Sequence, residues 1–95
     1  MESENLLREE TLTVTTEQGL HARVATMMVQ GLRNFSSQVT LVKDGVEVDG
    51  RNLLGLLLLA ATEGSQICVR AVGPDSLDAI KLVKRLVQND ECTQG

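Results

Sequence analysis

The chain has 95 residues and a formal net charge of −4, with one histidine, one phenylalanine and neither tyrosine nor tryptophan. That length suits a single domain with one aliphatic core. Mild acidity with no basic stripe and no aromatic platform argues against nucleic-acid binding, and the longest apolar run, Leu53 to Ala61, is too short to cross a membrane.

Residues 1–9 read as a frayed acidic leader with helical character around Leu6-Leu7, and Met1-Glu2-Ser3-Glu4-Asn5 lacks a signal-peptide pattern. A strand is expected over about residues 10–16, because Thr11-Leu12-Thr13-Val14-Thr15 alternates apolar and polar. Thr16-Glu17-Gln18-Gly19 is a polar turn. Ala25, Met28, Val29, Leu32 and Phe35 then recur at helical spacing, which predicts a helix over about 22–34. His21, the sole histidine, therefore falls at the helix start.

A helix start leaves backbone N–H groups without intrahelical partners and carries the positive end of the helix dipole. Both favour an anion, and phosphate is a natural occupant. Arg23 adds a planar fork of donors suited to phosphate. A neutral imidazole beside it is a nucleophile. The constellation suits phosphoryl transfer, where positioning and charge stabilisation dominate. A lone histidine at a helix start is also an ordinary cap or surface residue, and the residues alone leave both readings open. One histidine and two distant cysteines give no metal-ligand spacing, so neither metal nor cofactor is expected.

Ser36-Ser37 breaks the helix, and Gln38-Val39-Thr40-Leu41-Val42-Lys43 reads as a strand. Asp44-Gly45 is a hairpin signal, and Val46-Glu47-Val48 returns as a short third strand. Asn52 is placed to cap a second, short helix. Its leucines, Leu53, Leu54, Leu56, Leu57, Leu58 and Leu59, cannot all face one core, so some should stay exposed as a partner surface. Gln66 to Val72 forms the fourth strand, with Ile67, Val69 and Ala71 inward. Asp75 or Ser76 caps the last helix, whose buried stripe is Leu77, Ile80, Val83 and Val87. Asp75 and Asp78 near its start, with Lys81, Lys84 and Arg85 later, suit its dipole. A domain over 10–89 is thus followed by a polar tail, 90–95. Cys68 and Cys92 read as free thiols, and the expected compartment is the cytoplasm. The order βαββαβα fits an α+β sandwich with helices on one face of an antiparallel sheet.

Gly19-Leu20-His21-Ala22-Arg23 resembles the active-site motif of the HPr family, the histidine-containing phosphocarriers of the bacterial phosphoenolpyruvate-dependent phosphotransferase system. Asp49-Gly50-Arg51-Asn52-Leu53-Leu54-Gly55-Leu56-Leu57-Leu58-Leu59-Ala60 is similar to the family's second signature, and Glu63-Gly64-Ser65-Gln66-Ile67 and Gly73-Pro74-Asp75 to its closing elements. The resemblance covers about residues 9 to 88. It implies an HPr-like open-faced sandwich with strand order 1-4-2-3 and three helices.

The resemblance further implies a stoichiometric carrier rather than an enzyme. His21 would accept a phosphoryl group on Nδ1 from phosphorylated enzyme I and pass it to an EIIA-type acceptor, in a sugar or nitrogen-related branch. Arg23 and the backbone N–H groups of Ala22 and Arg23 would hold the phosphoryl oxygens. The two protein partners would share one surface, made of Ala22, Arg23, Thr26, Met27, Gln30, Leu53, Leu54 and Leu57. A monomer is expected, without membrane insertion. The rival reading is an HPr-fold regulatory module that binds partners without onward transfer; a ligand-sensing domain is a third.

Two positions depart from the family. Val24 stands where proline is usual, so Val24→Pro is expected to stabilise the chain modestly. Asn52 stands where many relatives carry a regulatory serine. It keeps the cap but offers no hydroxyl, so control by an HPr serine kinase is expected to be absent at this site.

Overall fold

A computed structural model describes residues 7–88; residues 1–6 and 89–95, with Cys92 and the tail, lie outside the described residues. The order is Leu7–Thr13 (β1), Ala22–Leu32 (α1), Gln38–Lys43 (β2), Val46–Asp49 (β3), Leu53–Leu58 (α2), Gln66–Val72 (β4) and Ser76–Gln88 (α3). Four strands form one antiparallel sheet in the order β1-β4-β2-β3, the HPr-like order expected from the resemblance.

The first strand begins earlier and ends earlier than its alternation implies. Leu7 to Glu10 continue the ladder, opposite Val72 to Val69, so part of the expected leader is strand. At the other end, Val14 leaves that ladder for the loop before β4: its N–H donates to Ser65 O at 2.8 Å, and its carbonyl accepts from Gly64 N at 2.8 Å. Partner length, absent from local pattern, set both ends. The β2–β3 hairpin turns as expected: Asp44 and Gly45 have φ of 52° and 82°. Positive φ at both central positions is what a tight two-residue hairpin turn needs.

The core lies between the sheet and the helices. Leu12, Leu41, Ile67 and Val69 face Met28, Leu32, Leu56 and Val83, all buried. Burying a side chain of this size contributes about 1.5–3 kcal/mol. The last helix presents Ile80, Val83 and Val87 inward as expected, but Leu77 is 46% exposed. Buried Ser76 and Ala79 occupy the start of the buried face instead. Cys68 is a free, half-buried thiol on the sheet's open face.

Asp75 does not cap α3 with its carboxylate. Its carbonyl accepts the first helical bond from Ala79 N at 3.0 Å. The carboxylate turns away and accepts from Ser36 N and Ser37 N, each at 2.9 Å, and from the Ser37 hydroxyl at 2.5 Å. The Ser37 hydroxyl and the Ser36 amide are the main causes holding its pKa below the usual 3.8. Beside this link, Arg51 Nη2 donates to the carbonyls of Leu32 at 2.8 Å, Phe35 at 2.7 Å and Ser37 at 3.1 Å. The stretch that reads as a helix breaker is thus a fastened loop.

Candidate functional site

Gly19 has φ +67°, and a Cβ there would lie 2.3 Å from Ala61 O, so this position needs glycine. The turn is closed by Gly19 N donating to Thr16 O at 3.0 Å and Thr16 Oγ1 donating to Gly19 O at 3.1 Å. Leu20 N donates to Ala61 O at 2.8 Å, which seats the turn against the segment after α2. The chain then delivers His21 in extended conformation (φ −87°, ψ −179°) as the N-cap of α1.

The half-buried imidazole turns Nδ1 toward the helix: Nδ1 accepts from Arg23 N at 3.3 Å. A nitrogen that accepts holds a lone pair, so the neutral ring carries its proton on Nε2. The first intrahelical bond is Ala25 N to His21 O, 2.9 Å. Among the described residues, the N–H groups of Ala22 and Val24 find no acceptor. The Arg23 side chain is exposed, and no described carboxylate lies within ion-pair distance of it. A nucleophilic lone pair, open amides and a guanidinium therefore meet at one helix start.

His21 and Arg23 also line a cavity of about 640 Å³ with Thr15, Thr16, Glu17 and Gln18 on one wall. Val24 and Met27 of α1 and Leu82, Arg85 and Leu86 of α3 complete it. Of the residues expected at a partner surface, Ala22, Arg23, Met27 and Gln30 are exposed along α1, while Thr26 is half-buried. Leu53 and Leu54 are 41% and 64% exposed on α2, which packs against α1. Leu57 instead packs against the core, and Leu58 is the outward residue at 72% exposure. The two leucines are adjacent on a one-and-a-half-turn helix, and only tertiary packing separates them.

Asn52 caps α2 as expected, its Oδ1 accepting from Gly55 N at 3.1 Å. Glu17, Gln18 and Arg85 were not singled out for the site by sequence reasoning. For Arg85 a signal existed: Leu82 and Leu86, three residues before it and one after, make a second apolar stripe beside the buried one.

Comparison with known proteins follows the same line. A family model described as "PTS HPr component phosphorylation site" matches residues 8–89. The phosphocarrier protein HPr of Xylella fastidiosa is 41% identical over 81 residues, covering 85% of this chain and 91% of its own. The HPr-like protein Crh of Bacillus subtilis is 33% identical over 82 residues, covering 86% of this chain and 96% of its own. The crystal structure of a phosphocarrier protein HPr from Bacillus anthracis matches with a TM-score of 0.83 at 30% identity, covering 88% of this chain and 100% of that one.

Proposed function

The chain belongs to the HPr family, and from that premise we propose that it is a phosphocarrier in which His21 takes a phosphoryl group from phosphorylated enzyme I and yields it to an EIIA-type acceptor. The observation that carries this reading is the Nδ1 lone pair of His21 held at the start of α1, beside Arg23.

The transfer is an in-line displacement between two imidazoles. The His21 Nδ1 lone pair forms the new N–P bond, and the donor's N–P bond breaks, returning its electron pair to the donor histidine. The phosphoryl oxygens carry the charge throughout. The Arg23 amide that now bonds Nδ1, the open amide of Ala22 and the Arg23 guanidinium receive them. The Val24 amide, absent where the family has proline, is one more donor. Onward transfer runs the same displacement in reverse sense, toward the acceptor. The protein returns to its starting state only after meeting both partners, so it is a carrier and not a catalyst.

Both partners must reach one atom, so they share the surface around it. Exposed Met27 on α1 and Leu53 and Leu54 on α2 form its apolar part. Short-lived complexes of this kind need a small interface and fast release. The carrier works as a monomer in the cytoplasm, in a sugar or nitrogen-related branch. Asn52 keeps it outside control by an HPr serine kinase at that site.

The test is an intact mass after incubation with phosphoenolpyruvate and enzyme I, beside His21→Ala. One acid-labile phosphoryl group, absent from the variant, is expected. No added mass on folded protein, with enzyme I charged, would sink the carrier reading. The second reading, a regulatory module, would then take its place, favoured by the exposure of Leu53, Leu54 and Leu58 on α2.

A further inference from the structure

The cavity beside His21 holds a cation that the transfer described above does not use. Arg85 comes from α3, far from the motif in sequence, yet it lines the same cavity as His21 and Arg23. The helical turn that carries it is tied down. Thr15 N donates to Val87 O at 3.0 Å, Thr15 Oγ1 donates to Gln88 O at 2.6 Å, and Gln88 Nε2 donates to Thr13 O at 3.2 Å. Three hydrogen bonds thus tie the last turn of α3 to the segment that leads into the His21 turn. One helical turn earlier, α3 meets α1 closely: a Cβ on Gly31 would lie 2.7 Å from a Leu82 methyl.

The other cations of α3 are placed differently. Lys84 Nζ lies 3.3 Å from Glu10 Oε2, and Lys81 does not line the cavity. No described carboxylate is within ion-pair distance of Arg85. The cavity's one acidic side chain is Glu17. Counted together, Glu17 and Arg23 bring the cavity no net charge, so a phosphoryl dianion on His21 would meet no surplus of positive charge from those two alone. Arg85 supplies that surplus.

We infer that Arg85 is a second phosphoryl-binding residue, which reaches across the cavity from α3 and favours the phosphorylated state of His21 over the free state. The inference rests on the carrier reading for its biological use, but anion binding by the cavity is measurable without it. A guanidinium opposite the Arg23 fork would approach phosphoryl oxygens that α1 does not reach. The stabilisation acts on the phosphorylated form, so it makes His21 easier to charge and slower to discharge.

The probe is inorganic phosphate, titrated into full-length protein and followed by the NMR shifts of the His21 ring. Arg85→Gln is expected to weaken binding about threefold to fivefold at low salt. Arg85→Lys should recover most of that loss, and added salt should shrink the difference. Arg33→Gln, at the other end of α1, is the control and should leave binding unchanged. A companion measurement equilibrates the protein with enzyme I at a fixed ratio of phosphoenolpyruvate to pyruvate. There Arg85→Gln should lower the phosphorylated fraction relative to the free form by a similar factor. A merely structural Arg85 would change stability and leave both ratios alone; unchanged phosphate binding in Arg85→Gln overturns the inference. If His21 accepts no phosphoryl group but Arg85→Gln still weakens phosphate binding, the carrier reading fails and the anion site stands.

Discussion

The two ends of α1 are built in opposite ways. At its start, one exposed side-chain contact at 3.3 Å supplements the first helical bond from the cap, and two amides have no described acceptor. At its end, the backbone groups are engaged one after another. Arg33, Asn34 and Phe35 amides turn back onto Gln30, Gly31 and Leu32 carbonyls. Arg51 takes three more carbonyls, and Asp75 takes the amides of Ser36 and Ser37. The unpaired amide of exposed Ala22 costs little while water serves it, and it is then available to an anion. Carbonyls at the half-buried end would be costly without a donor, and they are closed off. One helix thus joins an exchangeable end to a permanent one.

The sharpest way to break this contrast is to open the permanent end. Arg51→Ala should destabilise the protein by about 2–3 kcal/mol, since three carbonyls lose one charged donor. Denaturant unfolding measures it. Phosphoryl acceptance per folded molecule should not change, because His21 lies at the other end. Loss of acceptance in a folded variant would show the two ends to be coupled.

A smaller effect is expected from Asp75→Asn, because solvent also reaches that carboxylate. The folded pKa of Asp75 is lowered, so its contribution is present above the unfolded value and is lost as pH falls through the folded one. The melting temperature of the parent should therefore drop as pH falls below about 4 more steeply than that of Asp75→Asn. Parallel acid limbs would remove Asp75 as the source.

The mildest change acts at the exchangeable end. Val24 N–H has no described acceptor, so proline there costs no hydrogen bond. Val24→Pro should raise stability by about 0.5 kcal/mol through loss of unfolded-state freedom. A lower melting temperature would contradict the placement of the helix start.

His21, Arg23 and the Asn52 cap were legible in the sequence because each depends on its nearest neighbours. A period change fixes where α1 starts, and a cap acts within three residues. The strand order came through family resemblance, since no local pattern holds it. What stayed hidden depends on distant partners. β1 starts at Leu7 because Val72 is opposite. Leu58 is exposed where Leu57 packs because of what lies beneath α2. Asp75 turns toward Ser37 because Gly73 lets the two segments approach, a Cβ there falling 2.7 Å from Ser37 Cα. Arg85 belongs to the cavity only because α3 returns to the end of β1.

That return of α3, together with the pairing of β1, has a consequence in time. β1 lies at the sheet edge, and among the described residues its one strand partner is β4, more than half the chain downstream. Pairings of such separation are slow to close. His21 is synthesised early, but the segments that hold its turn, from Ala61 to Gln88, are synthesised late. A chain still emerging from the ribosome therefore carries the histidine without the site. On the proposed carrier function, charging of His21 would mark molecules that have finished folding, and unfinished chains would stay out of the relay.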